Sequence, residues 1–106
     1  MGMILHCVFY HFRQEAAPQQ RQEIVQELAR FSQSLDGVLG FEHGPNRDFE
    51  KKSQGYDSGF VIRFTSQEAL ATYANHPTHQ ALGKRLCDLV QGGADGIIVF
   101  DLETNA

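Results

Sequence analysis

Two stretches at opposite ends of the chain, Met3 to Arg13 and Gly96 to Leu102, are rich in β-branched and aromatic residues and apolar on both faces. In the first, Ile4, His6, Val8, Tyr10 and Phe12 alternate with Leu5, Cys7, Phe9 and His11. In the second, Ile98, Phe100 and Leu102 lie opposite Ile97 and Val99. A period of two predicts strands. Apolar residues on both sides predict a sheet with both faces covered. That demand is severe for a chain of 106 residues, which makes one domain, 1–106, and leaves little chain to build two covering layers.

The segments between supply only one layer of helices. Ala16 to Leu35 carries Ile24, Val25, Leu28, Phe31 and Leu35 at helical spacing, with Pro18 near its start and Asp36-Gly37 at its end. Val38 to His43 reads as a short strand closed by Gly44-Pro45-Asn46, and Arg47 to Gly55 as a polar loop. Tyr56 to Phe64 reads as a third strand. Thr65-Ser66-Gln67-Glu68 fits a capping box, with Thr65 as cap and Glu68 reaching back, before a helix to about Asn75. A further helix covers Thr78 to Val90, and Gln91-Gly92-Gly93 turns the chain into the last strand. The order β-α-β-β-α-β is the ferredoxin-like, split βαβ arrangement, an α+β two-layer sandwich.

Two layers leave one sheet face open, and that face is apolar. Strand 3 adds Val61 to it, together with Gly59 and Arg63. Packing the face on the same face of another subunit buries the patch. Several hundred Å2 per subunit at about 25 cal/mol per Å2 is a gross driving force of order 10 kcal/mol, before the costs of association. The expected partner is a second copy, joined through the sheet face as a homodimer.

Composition excludes other roles. Hydrophobic residues make up 42% and charged residues 21% of the chain, with a formal net charge of −4. The Lys and Arg residues are scattered, without the basic stripe that nucleic-acid binding needs. No apolar run approaches the roughly 20 residues of a membrane span. The first residues, Met1 to Leu5, lack a basic segment and run directly into the strand pattern, unlike a signal peptide. Cys7 and Cys87 stand far apart, which fits two buried, reduced thiols and a cytoplasmic location.

The candidate site lies at Tyr73-Ala74-Asn75-His76-Pro77-Thr78-His79. Pro77 disfavours helix at His76 and suits the first turn of a new one. That break puts Tyr73 on the last turn of one helix and His79 on the first turn of the next. A phenol and an imidazole then meet at one kink, and a neutral histidine can take a proton near pH 7. His6 joins them from the first strand. Val8, Tyr10, Ile24, Leu28, Phe60, Ile97 and Val99 are the expected apolar lining of a ligand pocket of several hundred Å3. His11 and His43 are expected to face solvent. His76 and His79 stand three apart, but Pro77 disrupts the helical face that a paired metal-ligand set wants, so no metal and no cofactor is expected.

Ile4 to Phe12, Gly44-Pro45-Asn46, Gly55-Tyr56-Asp57, Phe64 to Leu70, Tyr73 to His79 and Val99-Phe100-Asp101 together resemble the stress-responsive A/B barrel domain family. The resemblance implies a dimeric α+β barrel. It also implies, by likeness to the family's olivetolic acid cyclase branch, a cofactor-free aldol-type cyclase in which Tyr73 and His79 act together and His6 lines their cavity. That branch carries a further histidine where this chain has Ser58, and a bulky aromatic wall where this chain has Ile24, Val25 and Leu28, which implies a different ligand. Three readings stand: a small-organic-ligand binder, a cofactor-free cyclase-like enzyme, and a non-catalytic stress or accessory domain with structural histidines.

Overall fold

The computed structural model describes residues 2–105; Met1 and Ala106, the ends of the expected domain, lie outside them. The elements run β1 (Met3–Tyr10), α1 (Pro18–Gln33), β2 (Val38–Pro45), β3 (Ser58–Phe64), α2 (Gln67–Asn75), α3 (Pro77–Leu89) and β4 (Ile98–Thr104), with a short 3-10 turn at Gly93–Gly96. The strands form one antiparallel sheet in the order β2-β3-β1-β4. This is the expected ferredoxin-like α+β architecture.

Alternation sorts the side chains. Ile4, Val8 and Tyr10 of β1 and Phe60, Ile62 and Phe64 of β3 are buried beneath the helices, together with Ile24, Val25 and Leu28 of α1 and Leu82 and Leu86 of α3. The helices lie over β1, β3 and β2; β4 draws its principal contacts from β1 alone. Phe12 falls beyond the regular strand but pairs with Val90 through an isolated bridge, so it stays in the core.

The open face is built by three cross-strand rows. Gly44, Gly59, Phe9 and Ile98 are aligned in the first, Glu42, Val61, Cys7 and Phe100 in the second, and Gly40, Arg63, Leu5 and Leu102 in the third. Phe100 and Leu102 are each 52% exposed. An apolar face is therefore left uncovered within the protomer, as the alternation requires.

Several boundaries move for local reasons. α2 is capped by Ser66 and not by Thr65: the Ser66 hydroxyl accepts from the Ala69 N–H at 3.1 Å. Thr65 is held elsewhere, its N–H donating to the Gly37 carbonyl at 2.8 Å. Gly37 there has φ +86°, open to glycine at little steric cost, and an added Cβ would meet that of Ala69 at 2.6 Å. β2 continues through Pro45, which an edge strand tolerates. β3 begins only at Ser58, because the Asn46 side chain donates to the Tyr56 carbonyl and closes the preceding residues as loop. Both cysteines are free, and Cys87 is only half-buried.

Candidate functional site

The break at Pro77 is a built corner. His76 is extended, with φ −71° and ψ 134°, and ends α2; its N–H donates to the Tyr73 carbonyl at 3.2 Å. Its Nδ1 accepts from the Thr78 N–H at 3.0 Å, so the imidazole is the N-cap of α3. Pro77 follows as the first helical residue, where its missing N–H costs nothing. The Thr78 N–H, otherwise a free donor of the first helical turn, is thus already engaged.

Tyr73 points inward from the last turn of α2 and is 1% exposed. Its ring stacks on Phe31 at 6.0 Å and meets Phe64 at 5.3 Å and His6 at 6.0 Å, measured between centroids. The His79 ring lies closest, 4.3 Å from that of Tyr73. The three residues read from the sequence as a site are therefore neighbours. Burial pushes the Tyr73 phenol well above its ordinary range, so it stays protonated and able to donate at neutral pH.

His79 is half-buried, and its Nδ1 lies 3.1 Å from the Ala74 carbonyl. A carbonyl only accepts, which assigns the proton to Nδ1 and leaves Nε2 with a free lone pair. Burial lowers the His79 pKa; the backbone bond opposes this, and His6 adds to the lowering. A neutral base thus stands beside a protonated phenol.

His6 is oriented by a residue the sequence pattern did not single out. Its Nδ1 donates to Asp101 Oδ1 at 2.6 Å, with the His6 side chain 14% and that of Asp101 44% exposed. The two are direct cross-strand partners on β1 and β4. The available signal was a carboxylate, Asp101, set between Phe100 and Leu102 two residues after Val99. Such a carboxylate fixes the tautomer, leaving His6 Nε2 as the ring's acceptor. A second pair, His11 Nδ1 to Asp57 Oδ2 at 2.9 Å, lies outside this cluster on exposed surface. His43 is also exposed. Among the described residues, no group of three His, Cys, Asp or Glu side chains converges as metal ligands do.

The expected apolar lining is close-packed. Val8, Tyr10, Ile24 and Leu28 are 1–4% exposed and belong to the common core, with Ile97 packed against it. Val99 is half exposed on β4, whose principal contacts are with β1 alone. Phe60, also in the core, is the one residue of the seven that borders a described cavity. That cavity, about 640 Å3, opens on the other sheet face between Phe9, Val61, Ile98, Phe100 and the loop after β2.

The lowered pKa of His79 has a consequence for stability. The unfolded histidine titrates near 6.5 and the folded one below that. Between the two values the unfolded chain binds more protons, so stability falls as pH falls through this window and is fully present above it. The urea midpoint is expected to drop between about pH 7.5 and about pH 5.5, and His79→Ala to flatten that slope. An unchanged slope in the variant would remove His79 as its cause.

The model of the stress-responsive A/B barrel domain matches residues 4–104. The stress-response A/B barrel domain-containing protein HS1 of Arabidopsis thaliana is 26% identical over 100 residues, covering 94% of this chain and 88% of that protein. A dimeric ferredoxin-like protein of unknown function from Jannaschia sp. CCS1 superposes with a TM-score of 0.90 at 45% identity, over 97% of this chain and all of that one. A hydroxynitrile lyase from Passiflora edulis shares the fold at a TM-score of 0.81, with 13% identity over 98% and 94% of the two chains. No helix among the described residues is long and apolar enough to cross a membrane. With nearly its whole length matched, this chain belongs to the stress-responsive A/B barrel domain family.

Proposed function

We propose that this chain is a homodimer joined through its open sheet face, and that each protomer binds a small organic molecule at the corner formed by Tyr73, His79 and His6. The dimer reading is supported by the exposed Phe100 and Leu102 and by the dimeric relative at 45% identity. The site reading is carried by one observation: His79, with its proton committed to Ala74, lies 4.3 Å from a phenol that burial keeps protonated. A half-buried base backed by a buried phenol suits a ligand carrying a carbonyl beside an acidic C–H. The aromatic surroundings, Phe31 and Phe64, suit a flat, apolar body. Val8, Ile24 and Leu28 then serve as packed floor, and the ligand enters from the partly exposed side at His6, His79 and Asp101. The same pair is equipped for proton transfer of the cyclase kind without drawing on a cofactor.

The test is a titration with aromatic 1,3-dicarbonyl compounds, followed by histidine ring shifts in the NMR spectrum. His79→Ala and Tyr73→Phe are each expected to weaken binding about tenfold, the worth of one good hydrogen bond, with little change in urea midpoint. The non-catalytic reading is favoured by the near-complete burial of Tyr73. It gives the opposite pattern: no compound shifts the rings, and His79→Ala lowers the midpoint.

A further inference from the structure

A second cavity opens at the end of the sheet, away from the corner at Pro77. It measures about 380 Å3 and is lined by His11, Gln54, Gly55, Tyr56, Gln91 and Gly96. Three segments build it: the exit of β1, the loop before β3 and the turn before β4. His11 stands beyond the last cross-strand pairs of β1, Tyr10 with Ser58 and Phe9 with Ile98. It is five residues from His6, about 16 Å along an extended chain. Its neighbours Tyr10 and Phe12 are both in the core, so alternation turns His11 the other way.

The walls are fixed from behind. The Gln91 N–H donates to the His11 carbonyl at 2.8 Å, and the Asp57 N–H to the Tyr10 carbonyl at 3.2 Å. The Asp57 carbonyl accepts from the Asn46 N–H at 2.7 Å. Gly96 closes the turn so tightly that an added Cβ would meet the Gln91 carbonyl oxygen at 1.9 Å. The cavity therefore exists before any ligand arrives.

Its chemistry is polar and close to neutral. His11 Nδ1 lies 2.9 Å from Asp57 Oδ2, and the Ser58 hydroxyl donates to Asp57 Oδ1 at 3.0 Å, so both carboxylate oxygens are engaged. An exposed pair of this kind adds little to stability. Its effect is on the ring: a carboxylate beside Nδ1 favours the tautomer protonated there and leaves Nε2 to accept. Gln54 and Gln91 are exposed, and each carboxamide offers two donor hydrogens and an acceptor. Tyr56 adds a hydroxyl and a ring face. Among the described residues no Lys, Arg or aliphatic side chain lines the cavity, so an anion finds no counter-charge and a hydrocarbon no apolar wall. A metal ion finds no set of three ligands.

We propose that this cavity binds a neutral polyol of monosaccharide size. Hydroxyl groups both donate and accept, which is what two carboxamides and an Nε2 acceptor require. The Tyr56 ring serves the C–H face of the same molecule. Asp57 is a positioning residue that acts through His11.

The test is an NMR titration of the whole chain at about pH 8, where histidine is neutral, with glucose, xylose and myo-inositol. Saturable shifts of the His11 ring and of the Gln54 and Gln91 side-chain amides are expected, with a dissociation constant of about 1–10 mM, while the His6 and His79 rings stay unmoved. Gln91→Ala is expected to raise that constant about tenfold, with unchanged circular dichroism. Glucuronate is expected to bind at least about tenfold more weakly than glucose, because its carboxylate meets Asp57 and no cation. The ring nitrogen shifts are expected to place the His11 proton on Nδ1, and Asp57→Asn to give a mixture of tautomers, which a merely structural role would not produce. No saturable shift with any of the three compounds, shifts at His6 or His79 in place of His11, or glucuronate binding as well as glucose would each overturn the site. An unchanged constant in Gln91→Ala would do the same, and an unchanged tautomer in Asp57→Asn would remove the role given to Asp57.

Discussion

Phe64→Ala is expected to cost about 4 kcal/mol of folding stability. Phe64 has no exposed surface and sits on β3 opposite Ile4 of β1 and Val38 of β2. Its ring also meets Tyr73 at 5.3 Å and His6 at 6.1 Å, so it supports the site from beneath. Removing it deletes a large apolar group and leaves a cavity bounded by three strands and α2, which collapse poorly. Domains of this size hold roughly 5–15 kcal/mol in total, so the variant loses a large fraction of its margin. Urea unfolding with an unchanged denaturant slope is the measurement. A loss under about 1 kcal/mol would mean that the strands and α2 close over the gap.

Phe100→Asp is expected to leave the protomer folded and to abolish its dimer at micromolar concentration, a loss of at least about 100-fold in affinity. Half of the Phe100 side chain is already exposed in the protomer, so the carboxylate there stays hydrated. Against a second sheet the same carboxylate is stripped of water among apolar side chains, with no cation committed to it. Light scattering at fixed concentration reads the result directly. A variant that dimerises like the wild type would place the interface somewhere other than the sheet face.

The fold was legible because its signals are local. Alternation separated the two faces of β1 and β4, helical spacing marked α1, and Pro77 announced the break. The cap of α2 was misplaced by one residue because Thr65 and Ser66 are both hydroxyl caps in sequence. Only the tertiary bond from Thr65 to Gly37 decides between them. The His6–Asp101 pair escaped notice for a related reason: the register of strands 95 residues apart is not encoded in either strand alone. That Val8, Tyr10, Ile24 and Leu28 face inward could be read from spacing. Whether space remains between them depends on side-chain volumes summed over separate elements, and here the volumes fill it.

The corner at Pro77 has a consequence of another kind. A ring-fixed φ at Pro77, the His76 imidazole bound to Thr78 and the His76 amide bound to Tyr73 leave the chain one way to turn. The turn thereby fixes the separation of the Tyr73 and His79 backbones, from which the two rings meet. On the proposed reading, a guest at this corner would meet a fixed backbone: its affinity would not be reduced by ordering the turn, and a molecule of the wrong span would be refused.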